Sequence, residues 1–344
     1  MAITLGNIET IFISSRIRLA RNFAAYPFPS KMDDAQAEDL VYLVEQGLKS
    51  LDEFQKYDLG SLSEEEILLL QEQYLISPAL AKNKRGAAFV SADATVSIMV
   101  NEEDHLREQY ICKDFDLFKA YERISAIDET LGSLYDFAFD RKLGYLTACP
   151  SNLGTGMRAS VMLFLPGLVW NGELKELLPK LRLGGLTVRG AFGEGTQAEG
   201  YTYQISNERT LGMSEAEILN KMWEVTLLLC DLESKARQQM LLEAESEIKD
   251  RCLRAYGTLT HCALLGLKEC NEKLAEVKLG LMLGFLETAD MDEFEEFVKG
   301  MRSAAFIVEN RLQNATEKEC DEFRAQTVGK ILAELVKVTR ESLY

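Results

Sequence analysis

The chain has 344 residues, of which 47% are hydrophobic and 27% charged, and it carries a formal net charge of −17. That length holds one large or two ordinary domains with a substantial core, and the composition is that of a soluble globular protein. So acidic a chain is unsuited to nucleic acid, whose phosphates need a basic face, and it favours cationic partners.

The first regular element is expected at Ile11 to Arg21, a strand with Arg16 and Arg18 on one face and Ile17 and Leu19 on the other. Ala35 to Leu48 carries Ala37, Leu40, Val41, Val44 and Leu48 at helical spacing behind the cap candidates Asp33 and Asp34. Ser63-Glu64-Glu65-Glu66 ahead of Ile67 to Leu70 has the capping-box pattern of a second helix. Ala87 to Ser91 and Val96 to Val100, joined by four residues, predict a hairpin. A helix is expected from Asp116 to Leu134 with Phe118, Tyr121 and Ile124 inward, and Ala159 to Leu165 reads as helical. Tyr203 to Asn207 reads as a strand and turn. Beyond Ser214 the pattern is amphipathic helix throughout, so a mixed α/β body is expected to precede a helical module.

Seven cysteines (Cys112, Cys149, Cys230, Cys252, Cys262, Cys270 and Cys320) are scattered, with no CxxC pair and no metal spacing to His105 or His261. Reduced thiols are expected, and neither a disulfide framework nor a zinc site. No basic-then-apolar leader and no run of membrane-spanning length occurs, which predicts a cytoplasmic protein without a membrane partner.

Several segments carry chemistry. Asn101-Glu102-Glu103-Asp104-His105-Leu106-Arg107 follows the apolar run Val96 to Val100, so three acids and an arginine sit at the mouth of a strand. Acids there can grip a cation and the arginine an anion; a solvated acidic turn would have the same pattern. Arg16 and Arg18, alternating along one strand, present two planar forks that suit polyphosphate oxygens, or else form a solvated strand face. Cys149-Pro150-Ser151-Asn152-Leu153-Gly154-Thr155-Gly156-Met157-Arg158 allows close backbone approach ahead of the expected helix N-terminus, where anions are favoured. It lacks the lysine of a Walker A loop. Cys149 is either a small buried hydrophobe or a substrate contact, and no histidine near it in sequence supports a covalent nucleophile. Arg189 to Gly200 places Glu194 among four glycines, either a loop that closes an acid over a ligand or a plain surface loop.

In this order and spacing the motifs NEEDHLR, CPSNLGTGMR, RGxxGE and ISN resemble the ATP:guanido phosphotransferase family, which includes the creatine and arginine kinases. The resemblance runs from about Ile13 to Leu242 and is closest to the bacterial protein-arginine kinases. Metabolite-directed members carry about a hundred further residues of helical domain (an ordinary domain size) before the Ser14-Ser15-Arg16-Ile17-Arg18 strand, where this chain has only Met1 to Ile13.

The resemblance implies an α+β fold: a catalytic domain over residues 1–243, built on a large antiparallel sheet flanked by helices, then an all-helical C-terminal domain over 244–344 that dimerises in relatives. It implies that Arg16, Arg18, Arg107, Arg158 and Arg189 hold ATP, that Glu103 and Glu194 flank the acceptor guanidinium, and that Cys149 lies beside it. Magnesium would ride on the nucleotide, with no dedicated protein ligands. The implied partners are protein substrates with exposed arginine, an activator of the McsA type and a Clp protease system.

One segment departs from the pattern. Protein-arginine kinases carry near the C-terminus an RDxxRA motif that recognises phosphoarginine, and here it reads Cys320-Asp321-Glu322-Phe323-Arg324-Ala325. Asp321 and Arg324 remain candidates for that pocket, with one cationic fork lost; a plain helix with Arg324 solvated is the alternative. The function expected is ATP-dependent phosphorylation of protein arginines. A small-molecule guanidino kinase and a non-catalytic arginine- or phosphoarginine-binding adaptor are the other readings.

Overall fold

A computed structural model describes residues 8–51, 53–190 and 199–342. The body is an eight-stranded sheet in the order β2-β3-β4-β5-β1-β8-β10-β9, antiparallel at every pairing. Its strands are β1 (Phe12–Arg21), β2 (Phe54–Asp58), β3 (Ala87–Ser91), β4 (Val96–Val100), β5 (Leu106–Cys112), β8 (Met157–Phe164), β9 (Leu186–Gly190) and β10 (Thr202–Asn207). A small hairpin, β6 (Phe139–Asp140) with β7 (Gly144–Tyr145), lies apart from it.

One face of the sheet is apolar because alternate residues of each strand point the same way. Ile17, Leu19, Ala159, Val161, Ile205, Val188, Leu106 and Ile98 are all buried there. Helices α1 (Asp34–Leu48) and α3 (Leu117–Leu134) contribute to that core, as does the first part of α6 (Glu215–His261). The expected elements from β1 to the β3–β4 hairpin form where their patterns place them. Asp33 caps α1 by accepting from Gln36 N at 2.8 Å, and Ser63 caps α2 (Glu64–Glu72) from Glu66 N at 3.2 Å.

Three expectations are corrected. Met157 to Phe164 is a strand, not the start of a helix: it lies between β1 and β10, and its apolar stretch Val161 to Phe164 is one that a buried helix would also show. In α3 the buried apolar residues are Leu117, Ala120, Ile124, Ile127 and Leu131; Phe118 is exposed and Tyr121 only partly buried. The region beyond Ser214 also contains two strands, β11 (Leu286–Thr288) and β12 (Val336–Val338), paired antiparallel.

Helix α6 is interrupted at Ala244, where φ is −145° and ψ 34°. Past it, α7 (Leu267–Met282), α8 (Met291–Gly300), α9 (Ser303–Glu309) and α10 (Glu317–Leu335) build a second core around Leu259, Leu274, Phe294, Phe306, Val328 and Leu332. The short helices α4 (Pro166–Trp170) and α5 (Glu173–Leu183) complete the body. Among the described residues no helix is long and apolar enough to cross a membrane.

Candidate active site

The face of the sheet opposite the main core is cationic toward its centre. Register fixes this: Arg18 lies opposite Arg158 across β1 and β8, Arg16 opposite Ser160, and Arg107 opposite Ala20 across β5 and β1. Arg189 on β9 stands opposite Gln204 on β10, whose Ser206 pairs with Ser160. Residues directly opposite in an antiparallel pair share a face. Five arginines expected to bind phosphate are therefore gathered from four strands onto one surface.

These cations are poorly compensated. Among the described residues, Arg107 is the only one of the five with a carboxylate at ion-pair distance, Glu102 at 2.5 Å and Glu103 at 3.8 Å. Arg158 donates to Ser206 Oγ from Nη2 at 2.8 Å and from Nε at 3.2 Å. Burial, followed by repulsion from Arg158 and Arg107 against an opposing contribution from Tyr74, brings the Arg16 guanidinium down to about 10. Burial and the fields of Arg16, Arg107 and Arg158 push Arg18 well below its ordinary value, and its Nε is buried without a hydrogen-bond partner. Arg158 is lowered by burial, then by Arg189 and Arg107. Cations crowded so that each disfavours its neighbour form a surface that a polyanion would relieve.

The three acids of the β4–β5 connection have three different destinations. Asn101, at φ 61°, turns the chain, held by Nδ2 donating to Ala37 O at 3.0 Å and Arg85 O at 3.2 Å. The Glu102 side chain is turned inward, 1% exposed, accepting from Arg107 and from the Ser77 hydroxyl. Asp104 is 1% exposed; its Oδ1 accepts from Asn22 Nδ2 at 2.7 Å and from Ala148 N at 2.6 Å, tying this turn to the Cys149 segment. Glu103 alone of the three faces out, its side chain 45% exposed beside Arg107. His105 is structural: its Nδ1 accepts from Phe23 N at 3.0 Å, its Nε2 contacts Pro27 O at 2.8 Å, and burial lowers its pKa.

Cys149 is partly buried, its Sγ 3.0 Å from Ser151 Oγ, so it is not a fully buried core side chain. The glycines after it serve chain packing and not a helix N-terminus. A Cβ on Gly154 (φ 99°) would meet Thr210 O at 2.3 Å, and one on Gly156 (φ 63°) would meet Ala20 O at 2.6 Å. The close backbone approach expected there is made to neighbouring strands and loops. Glu194 lies outside the described residues.

The C-terminal candidates sit apart from this face. Arg324 is 4% exposed, which removes the solvated-helix alternative. Its Nη1 donates to Asp321 Oδ1 at 2.7 Å and Leu265 O at 2.8 Å, and its guanidinium carbon stands 5.0 Å from the centroid of the Phe306 ring. Asp321 therefore already holds a guanidinium, that of Arg324.

Ser77, Gln109 and Ser206 were not anticipated on this face, nor was Glu102 as the partner of Arg107. The signal available for Ser206 was a polar Ser-Asn pair ending an apolar strand. Asn207 beside it accepts from Ala159 N at 2.8 Å and fixes the end of β8. Ser77 and Gln109 had no local signal.

Comparison with known proteins decides the family. Residues 37–236 match the model of the ATP:guanido phosphotransferase C-terminal catalytic domain, and residues 245–342 that of the protein-arginine kinase McsB C-terminal domain. The chain belongs to the ATP:guanido phosphotransferase family. Within it, the protein-arginine kinase of an Exiguobacterium species is 37% identical over 327 residues, covering 95% of this chain and 94% of that one. The protein-arginine kinase of Moorella thermoacetica is 40% identical over 335 residues, 95% of each chain. Among solved structures, lombricine kinase superposes with a TM-score of 0.59 at 27% identity over 70% of each chain. The duplicated taurocyamine kinase of Schistosoma mansoni gives 0.61 at 24% identity, over 76% of this chain and 40% of that one, and shows the shared fold.

Proposed function

We propose that this protein is an ATP-dependent protein-arginine kinase that transfers the γ-phosphoryl group of ATP to arginine side chains of proteins. The observation that carries the reading is the poorly compensated arginine face. Phosphoryl transfer needs little covalent chemistry from the enzyme; it needs positioning and neutralisation of phosphate charge. Arg16, Arg18, Arg107, Arg158 and Arg189 are assigned to the nucleotide phosphates and the migrating group. The face fits a polyphosphate, and magnesium, which would add further neutralisation, is assigned to the nucleotide.

Glu103 is assigned to the acceptor. A guanidinium arrives protonated, with an ordinary pKa of roughly 12.5–13.8, and is then no nucleophile. A carboxylate beside Arg107 can orient one nitrogen toward the phosphate and take up its proton. Glu194 is assigned as the second carboxylate, and Cys149 as a contact to the same group. Asp104 holds the Cys149 segment to the acidic turn, which supports placing Cys149 beside Glu103.

The catalytic domain is proposed to span residues 1–243 and the helical domain 244–344, a reading supported by the break at Ala244. The same reading includes a cytoplasmic homodimer, an activator of the McsA type and delivery of marked clients to a Clp protease. The direct test is incubation with MgATP and either casein or free arginine. Acid-labile phosphate on casein is the expected result; label on free arginine alone would make this a metabolite kinase.

A further inference from the structure

The C-terminal domain meets the turn that follows α2, beside the arginine face. Arg302, which caps the start of α9, donates from Nη1 to Glu72 O at 2.7 Å, and Ala305 N donates to Glu72 Oε2 at 3.0 Å. The Arg302 guanidinium also lies over the Tyr74 ring, 5.2 Å from its centroid, at cation–π range. Tyr74 terminates α2 with φ 61°, the left-handed conformation that glycine ordinarily supplies at a helix end. A bulky residue held there is strained, and such strain persists only where the surroundings enforce it.

The surroundings join the two domains. The Tyr74 carbonyl accepts from Gln109 Nε2 at 2.6 Å, and Gln109 stands directly opposite Arg18 across β5 and β1. The next carbonyl, of Leu75, accepts from Ser97 Oγ at 2.5 Å, on the strand that pairs with β5. Tyr74 also acts electrostatically on Arg16. The turn is thus gripped by the C-terminal domain on one side and supports the phosphate-facing strands on the other.

We infer that Tyr74 is a positioning residue, clamped by Arg302, through which docking of the C-terminal domain sets the arginine face for nucleotide. The inference rests on the assignment of that face to ATP. Linkage makes the coupling reciprocal: whatever loosens the Arg302 clamp weakens nucleotide binding, and bound nucleotide tightens the clamp.

The test uses the full chain and measures MgATP affinity by calorimetry, KM and kcat with a protein substrate, and the melting midpoint. Arg302→Ala is expected to weaken MgATP binding about 5-fold or more, the lower end of ordinary coupling, and to raise KM while kcat stays within about twofold. Tyr74→Gly relieves the backbone, so it is expected to keep or raise the melting midpoint while losing the same affinity. Lys113→Ala removes a different domain contact, to Asp292 at 3.3 Å and Glu296 at 3.7 Å, and is expected to leave MgATP affinity unchanged. Unchanged affinity in Arg302→Ala and Tyr74→Gly, with wild-type binding intact, would overturn the clamp and leave the arginine face standing. Equal loss in Lys113→Ala would also overturn it, by making the effect one of general domain loosening. Failure of the wild-type chain to bind MgATP would instead remove the assignment of the face and the clamp together.

Discussion

Arg18 and Arg158 stand directly opposite one another across the β1–β8 ladder. Like charges in that relation repel, and opposite-charge pairs are the arrangement that stabilises a sheet. The protein keeps the pair at the centre of its largest sheet, so the cost is tolerated for something other than folding.

Removing one member of the pair separates folding from function. Arg158→Ala relieves repulsion and frees Ser206, so the melting midpoint is expected to hold or rise. ATP-dependent activity is expected to fall by about 10³-fold or more, the scale of a single phosphate-clamping arginine in other phosphoryl-transfer enzymes. Arg158→Lys should recover only part, because a point charge cannot reproduce two parallel hydrogen bonds. Calorimetry showing wild-type ATP affinity in both variants would place Arg158 outside the site.

The two neighbouring glutamates are expected to fail differently. Glu103→Gln should lower kcat by about 10²-fold or more, the ordinary worth of general-base assistance, with folding intact. Glu102→Gln weakens the buried contact to Arg107 and its effect should appear first in the KM for ATP. Circular dichroism and initial rates on the pair check this. Glu103→Gln retaining a tenth of wild-type kcat would refute the base assignment.

Substrate class is readable in competition. The body's acid-rich surface should favour arginines in basic protein segments over free arginine, and the preference should shrink as salt rises, because exposed charges are screened within about 8 Å at physiological ionic strength. Rates on an arginine-bearing protein and on free arginine, each at low and high salt, test it. Equal rates at all salt concentrations would sink the prediction.

On the opposite face of the sheet, Glu108 is fully buried beside the Arg21–Asp128 pair. Burial, then Asp128, raise its pKa well above the ordinary carboxylate range despite Arg21. The folded chain thus retains a proton that the unfolded chain gives up above about pH 4.3. In the interval between the unfolded and folded pKa values the unfolded state binds fewer protons, so this group's contribution destabilises increasingly as pH rises. Glu108→Gln should therefore gain stability over wild type through that interval, by at most about 1.4 kcal/mol per pH unit. Chemical denaturation across pH measures the gap, and a gap independent of pH would contradict the buried, protonated carboxyl.

In the C-terminal domain, Arg324 already holds Asp321 and Leu265 O, so free phosphoarginine is expected to bind weakly and stimulate little. Cys320→Arg should strengthen binding by about 10-fold or more, as one charge-assisted hydrogen bond adds about 1.5–3 kcal/mol. Arg324→Ala should cost about 1–3 kcal/mol of stability by leaving the buried Leu265 carbonyl unpaired. Tight phosphoarginine binding by wild type that survives Arg324→Ala would place any such pocket on other residues.

Much of this protein was determined locally. The capping boxes at Asp33 and Ser63, the alternation of Arg16, Ile17, Arg18 and Leu19, and the β3–β4 hairpin depend on neighbours within a few residues, so the sequence alone carried them. Motif order was enough to place the chain in its family. Tertiary structure decided the rest. Val161 to Phe164 is continuously apolar, which a buried helix and a central strand share, and only the seat of Met157 to Phe164 between β1 and β10 separates them. Three adjacent acids gave no sign of which would turn inward; Ser77 and Arg107 capture Glu102, Asn22 and Ala148 capture Asp104, and Glu103 is left exposed. Arg324 is buried by Leu265 and Phe306, far from it in sequence. Backbone hydrogen bonds of caps and turns are short-range and leave a pattern, whereas the burial of a particular charge depends on which distant groups fold against it.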